Sequence, residues 1–117
     1  MLFRSHRLEV DCALGHSAKD TGSVVGATAH EFGHAVENHL RATGQFTPEL
    51  QAAVDSEWSR GPSGVSAEVG EYAAKSRQEL FAEAFAEYKC SDSPRSAAKT
   101  IGVHIDNILR EEDINIQ

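Results

Sequence analysis

The sequence predicts an α+β domain that is predominantly helical, with a short N-terminal strand region and about four helices. Apolar residues recur at helical spacing over most of the chain, and several segments begin with helix-start signals. Strand character is confined to residues 2–10, where Leu8 and Val10 alternate with charged neighbours. Helices therefore dominate the prediction, and the single alternating segment supplies its β part.

Four segments carry the helix signals. In the second of them, Thr47 offers a capping hydroxyl and Pro48 suits the first helical position. The first segment ends before Gly44, and the third starts near Ser76. We therefore predict helices at about 21–42, 47–58, 76–90 and 93–110, with loops at 11–23 and 59–66.

Length and composition limit the classes of function. The 117 residues suit one domain spanning 1–117, or the C-terminal domain of a longer protein. The net charge of −7 disfavours binding to nucleic acid and to anionic membranes. No apolar run approaches the ~18 residues of a membrane span, and the N-terminus is charged where a signal peptide is apolar. We therefore expect a cytoplasmic location, or a piece cut from something larger.

The chain contains two cysteines, Cys12 and Cys90, which do not form a CxxC pair. Two thiols cannot build a disulfide framework, so the simplest expectation is that both are reduced and partly buried. A single bridge between them remains the alternative.

Residues 30–34 read His-Glu-Phe-Gly-His, an HExxH motif. Positions i and i+4 lie one turn apart on one face of a helix, so both imidazoles can reach one zinc ion at about 2.0–2.1 Å. Glu31 flanks them and is placed to take a proton from zinc-bound water. Gly33 costs a helix about 1 kcal/mol relative to Ala, which suggests that a backbone or a ligand comes close. The alternative is two solvent-facing histidines on an ordinary helix.

A third protein ligand is required, and Glu57 and Glu79 are the candidates. Glu79 opens a series with Glu83 and Glu87 at i, i+4 and i+8, flanked by apolar residues. Glu83 could then accept the outer N–H of a ligating histidine. However, Ser76 and Glu79 also form a capping-box pattern, and the acids could line a solvated face. From spacing alone, Glu79 is equally a ligand or a cap.

The motif HEFGHAV from residue 30, Tyr72 and the stretch QELFAEAFAEY from residue 78 together resemble the catalytic domain of anthrax lethal factor and its relatives. They are most similar to the peptidase domains of phage head-associated (minor capsid) proteins. In this family HExxH is followed by a Tyr and then by an ExxAEAF-type helix, whose first Glu completes the zinc site. Here that residue is Glu79, 45 positions after His34 and 7 after Tyr72. The resemblance therefore implies a minimal zincin-like metallopeptidase with Zn²⁺ held by His30, His34 and Glu79.

The resemblance extends from about residue 24 to residue 110. It implies that Glu83 supports a zinc ligand and that Tyr72 assists the oxyanion or the leaving amine, whereas the residues alone favour a half-buried packing role for Tyr72. In the family, a sheet before the zinc-site helix aligns the substrate by strand addition. This chain has room for only one or two strands before residue 20.

These features predict a zinc-dependent endopeptidase that acts on a protein or peptide substrate. One alternative is a non-catalytic zinc-containing structural or interaction module of a phage virion protein. A closed structural zinc site usually has four protein ligands, mostly Cys and His, and no fourth ligand is evident here. A second alternative is hydrolysis of a non-peptide bond.

Overall fold

The computed structural model describes residues 24–116, with side chains over 29–111. Two predicted helix starts are confirmed by their caps. The hydroxyl of Thr47 accepts a hydrogen bond from the Leu50 N–H at 3.1 Å, and that of Ser76 accepts one from the Glu79 N–H at 3.1 Å. The elements in chain order are α1 (Val24–Ala42), α2 (Pro48–Trp58), α3 (Gly61–Glu68), a 3-10 helix (Tyr72–Lys75), α4 (Arg77–Cys90) and α5 (Ser96–Ile116).

The predicted α+β class is wrong, because residues 24–116 contain helices and no strand. The strand expected at 2–10 and the loop expected at 11–23 lie outside the described residues. The prediction of about four helices is also wrong, since α3 occupies most of the loop expected at 59–66. Val65 explains the difference: it is fully buried, and this tertiary packing outweighs the local signals of a loop rich in Gly, Pro and Ser.

Helix α4 forms the centre of the core. It contacts α1, α2, α5 and the 3-10 helix, and every residue from Leu80 to Glu87 is buried. Phe81 and Phe85 are its largest fully buried side chains. Because protein surrounds this helix on several sides, Glu83 and Glu87 are also buried, at 7% and 2% exposed. The solvated acidic face considered from the sequence is therefore wrong for these two residues.

Helix α1 packs directly on α4 through its apolar face. Ala29, Val36 and Leu40 are fully buried, which confirms the predicted helical period. At Gly33 the two backbones come so close that an added Cβ would lie 3.0 Å from the Cα of Ala82. The close approach inferred from this glycine is thus confirmed, and the neighbour is the backbone of α4.

Two further expectations concern the thiols and the membrane. Cys90 is disulfide-bonded, so the expectation of a reduced thiol is wrong at this position. Cys12 lies outside the described residues. Among the helices between 24 and 116, none is both long enough and apolar enough to cross a bilayer.

We expect Gly33→Ala to lower the free energy of unfolding by about 1–3 kcal/mol, because α1 and α4 must separate to admit the methyl group. Helix propensity alone would make Gly33→Ala stabilising by about 1 kcal/mol. A loss of stability would therefore report the packing of α1 on α4. Urea unfolding followed by circular dichroism measures the change. The control is Asn38→Ala at an exposed position of the same helix, which should not destabilise the protein. An unaltered or increased stability in Gly33→Ala would contradict the close approach.

Candidate metal centre

The two histidines of the HExxH motif lie side by side on α1. His30 is buried at 9% exposed, and His34 is partly exposed. Their rings meet edge to face with centroids 4.8 Å apart, and the two Nε2 atoms are separated by 3.1 Å. The i, i+4 spacing therefore directs both Nε2 atoms towards one point.

Glu79 approaches this pair from the first turn of α4. Its Oε2 lies 2.9 Å from Nε2 of His30, and its Oε1 lies 3.1 Å from Nε2 of His34. The capping function is carried out by Ser76, which accepts the backbone N–H of Glu79 and leaves the Glu79 carboxylate for other contacts. The structure thus places the Glu79 side chain beside both imidazoles.

Glu83 lies one turn further along α4 and contacts the opposite side of the His30 ring. Nδ1 of His30 is 2.6 Å from Oε2 of Glu83, in a buried pair. This distance fits a hydrogen bond that the Nδ1–H group of His30 donates to the carboxylate of Glu83. In the neutral imidazole this leaves a lone pair on Nε2, which is the tautomer that binds a metal through Nε2.

The contact between Nε2 of His30 and Oε2 of Glu79 is unfavourable when Nε2 carries a lone pair. Oε2 of Glu79 is buried and has no hydrogen-bond partner, although the Nε2 lone pair of His30 lies only 2.9 Å away. Two lone-pair atoms at this distance repel each other, and a buried carboxylate oxygen without a partner is costly. A metal cation would remove this conflict, as would a second proton on His30.

The donor set fits zinc. Two imidazole nitrogens and one carboxylate oxygen are a common ligand combination for catalytic zinc. Tetrahedral ligands at zinc bond lengths are about 3.3 Å apart, because each bond is about 2.0–2.1 Å long. The separations among His30, His34 and Glu79 are 2.9, 3.1 and 3.1 Å. Among the residues whose side chains are described, these three form the one group with metal-ligand geometry.

Of the other two residues singled out from the sequence, Glu31 and Tyr72, the structure brings Tyr72 into contact with this group. Glu31 follows His30 on α1, and its side chain is exposed to solvent. The ring of Tyr72 meets that of His30 edge to face, with centroids 5.5 Å apart. Tyr72 is 51% exposed, which is more than a packing role requires. Tyr72 can therefore contact a molecule that approaches His30 from solvent, and Glu31 is accessible from solvent on the same helix as His30.

Sequence reasoning missed the contacts that hold Tyr72 and its neighbours. Nζ of Lys75 lies 4.7 Å from the Tyr72 ring centroid, in a cation–π contact. Glu87, the third acid of the α4 series, binds Arg95 at 2.7 Å. The place of Glu87 in the i, i+4, i+8 series was a sequence signal for a buried role. Nothing in the local sequence identifies Arg95 as its partner.

Glu57, the rival third ligand, does not join the histidines. Its Oε1 pairs with Arg60 at 3.1 Å, and Glu68 pairs with the same guanidinium at 3.3 Å. Burial raises the pKa of Glu57 above its ordinary value, and the negative charge of Glu68 raises it further. Glu57 therefore belongs to a carboxylate–arginine cluster between α2 and α3.

Comparisons of the chain with protein-family models, with curated proteins and with solved structures find no match. The functional inference therefore rests on the residues and distances of the site.

Replacing Glu57 with Gln should stabilise the protein relative to the wild type as the pH rises from about 4 to 7. The raised pKa of Glu57 means that the folded state resists its ionisation, so the contribution of Glu57 to wild-type stability falls as the pH rises above the ordinary pKa of glutamate. Glu57→Gln removes this penalty, and Glu68 still pairs with Arg60. Thermal unfolding at several pH values measures the difference in Tm.

The control for this experiment is Glu111→Gln at an exposed position of α5. Its Tm difference from the wild type should change less with pH than that of Glu57→Gln. A Glu57→Gln variant that loses stability relative to the wild type as the pH rises would show that the charge of Glu57 is favourable in the folded state.

Proposed function

We propose that this protein is a zinc-dependent endopeptidase in which His30, His34 and Glu79 hold the metal. The observation that carries the proposal is the convergence of two Nε2 atoms on the carboxylate of Glu79, whose buried Oε2 has no hydrogen-bond partner. The Glu83 carboxylate supports it by holding the proton of His30 on Nδ1. Three protein ligands with a free fourth position are typical of catalytic zinc.

The residues around the three ligands can perform peptide hydrolysis. Zinc bound there would lower the pKa of water to about 7 and polarise the scissile carbonyl. Glu31 acts as general base and then passes the proton to the leaving nitrogen. Tyr72 donates a hydrogen bond to the developing oxyanion or protonates the leaving amine.

The proposed substrate is an extended segment of a protein. His34 is partly exposed, and Glu31 and Tyr72 are exposed, so their side chains are accessible to a polypeptide on the surface. The competing function is that of a zinc-containing module without catalytic activity. Measuring peptide cleavage by the zinc-loaded protein distinguishes the two functions.

The purified protein should bind one equivalent of zinc, and Glu79→Gln should abolish tight binding, because the variant lacks the charged oxygen ligand. Glu83→Gln should bind zinc about 10–100-fold more weakly, since loss of a charged partner of a ligating histidine typically costs this much. Elemental analysis after dialysis and competition with a chromophoric chelator measure both effects.

Glu49→Gln, at an exposed position of α2, is the matched control and should bind zinc like the wild type. Circular dichroism of each variant verifies that it is folded. Stoichiometric, tightly bound zinc in a folded Glu79→Gln variant would remove Glu79 from the metal site.

Glu31→Gln should keep its zinc and lose cleavage of a peptide library by about 10²–10⁴-fold, because the amide cannot accept the proton of the attacking water. Mass spectrometry of the digest measures the cleavage, and Glu71→Gln, an exposed acid near the site, is the control. Cleavage by Glu31→Gln at the wild-type rate would refute this mechanism. A zinc-loaded wild-type protein that cleaves no peptide would favour the non-catalytic module.

A further inference from the structure

Tyr72 lies on a short element that has little stability of its own. The 3-10 helix Tyr72–Lys75 is a single turn, and isolated turns of this kind are marginal in water. Its 3-10-type hydrogen bonds include those from Ala73 N–H to Gly70 O and from Ala74 N–H to Glu71 O. The position of the Tyr72 ring beside His30 therefore depends on the packing of this turn on α4, where Ala73 is fully buried, and on how the preceding residues are held.

Arg95 holds the chain immediately before this turn. Its Nη1 donates to the carbonyl oxygen of Ala67 at 3.3 Å, and its Nη2 donates to that of Val69 at 3.2 Å. Carbonyl groups at the C-terminal end of a helix have no partner within the helix, and a cation is favourable there. The Arg95 guanidinium thus caps the C-terminal end of α3, and the second capped residue, Val69, lies three residues before Tyr72.

Glu87 fixes the position of Arg95. The Glu87 carboxylate accepts hydrogen bonds from the backbone N–H of Arg95 at 2.7 Å and from its Nη2 at 2.7 Å. Glu87 is 2% exposed, whereas the Arg95 side chain is 42% exposed. The rigid element of the pair is therefore the buried carboxylate on α4.

Glu79, Glu83 and Glu87 follow one another at successive turns of α4. Glu79 and Glu83 contact the histidines, and Glu87 reaches the chain before Tyr72 through Arg95. Gly70, between the capped carbonyls and Tyr72, has φ of +136°, a conformation that favours glycine, and an added Cβ there would lie 4.0 Å from Oε1 of Glu83. Helix α4 thus contacts both the histidines and, through Arg95, the chain that leads to Tyr72.

We propose that Arg95, held by Glu87, is a positioning residue that sets Tyr72 against His30. This inference rests on the proposed peptidase function for its catalytic consequence. The fork of Arg95 reaches two carbonyls and one carboxylate at once, which a lysine ammonium on a flexible stem cannot reproduce. Arg95→Lys keeps a positive charge beside buried Glu87 but loses the guanidinium hydrogen bonds to the carbonyl oxygens of Ala67 and Val69 and the forked contact with Glu87.

The test is a double-mutant cycle of Arg95→Lys and Tyr72→Phe, measured as kcat and KM for a cleaved peptide. Arg95→Lys should lower kcat by roughly 10-fold and change KM less than twofold, because misplacement of a catalytic group acts on the transition state. In the Tyr72→Phe background the same change should have no further effect on kcat. An equal loss in both backgrounds, or no loss in the wild-type background, would overturn the proposal.

A second measurement does not depend on activity. Hydrogen exchange followed by mass spectrometry should show faster exchange at residues 70–75 in Arg95→Lys, with unchanged exchange in peptides that cover 30–34 and 79–83. If the wild type cleaves nothing, the proposed function fails, and this measurement alone decides whether Arg95 positions the turn. Unchanged exchange at residues 70–75 would overturn that role.

Arg41→Lys is the matched control for both measurements. Arg41 is an exposed arginine that pairs with the buried acid Glu37 at 2.9 Å on α1, just as Arg95 pairs with Glu87. Its replacement should leave kcat unchanged and should not alter exchange at residues 70–75.

Discussion

Helix α4 carries Glu79, Glu83 and Glu87 into the protein, and the positions of the surrounding groups depend on how these carboxylates are partnered. A buried charge is costly unless a partner and hydrogen bonds compensate for it. Glu87 is compensated by Arg95, and Glu83 by Nδ1 of His30. The carboxylate of Glu79 meets two imidazole nitrogens, and one of its oxygens has no hydrogen-bond partner. The compensation is therefore incomplete at the one place where three ligand atoms converge.

The contact between α1 and α4 determines whether these partners can meet at all. An imidazole reaches only a few ångströms from its backbone, so both histidines need α4 very close to α1. Gly33 lies between them in sequence and allows the backbone of Ala82 to approach. The same residue that weakens α1 as an isolated helix thus brings Glu79 and Glu83 within reach of His30.

The parts of this arrangement that could be predicted from the sequence are those that depend on local geometry. The i, i+4 spacing of His30 and His34 and the cap at Ser76 follow from the dimensions of one helix. Spacing could not decide between ligand and cap for Glu79, because both alternatives use the same carboxylate. In the structure the Ser76 hydroxyl caps the Glu79 N–H, and the Glu79 carboxylate lies beside the two imidazoles.

The parts that could not be predicted depend on contacts between distant segments. Helix α3 forms in a segment with loop-like composition because Val65 is buried by other elements. The role of Arg95 depends on carbonyls 26 and 28 residues earlier in the chain, and no local pattern encodes that pairing. The α+β prediction relied on the local alternation at residues 2–10, which lie outside the described residues.

Two carboxylate oxygens, on Glu57 and Glu79, are buried without a hydrogen-bond partner among the described side chains, and their surroundings differ in kind. Beside Glu57 lies a second carboxylate, Glu68, and burial together with this negative charge raises the pKa of Glu57. Beside Glu79 lie the Nε2 atoms of His30 and His34, and Glu83 directs the lone pair of His30 towards the gap. Nitrogen and oxygen donors that converge in this way match a divalent cation better than a single proton, because a proton can bridge only two of the three atoms. The same feature, a buried oxygen without a hydrogen-bond partner, therefore accompanies a raised pKa at Glu57 and supports the proposed metal site at Glu79.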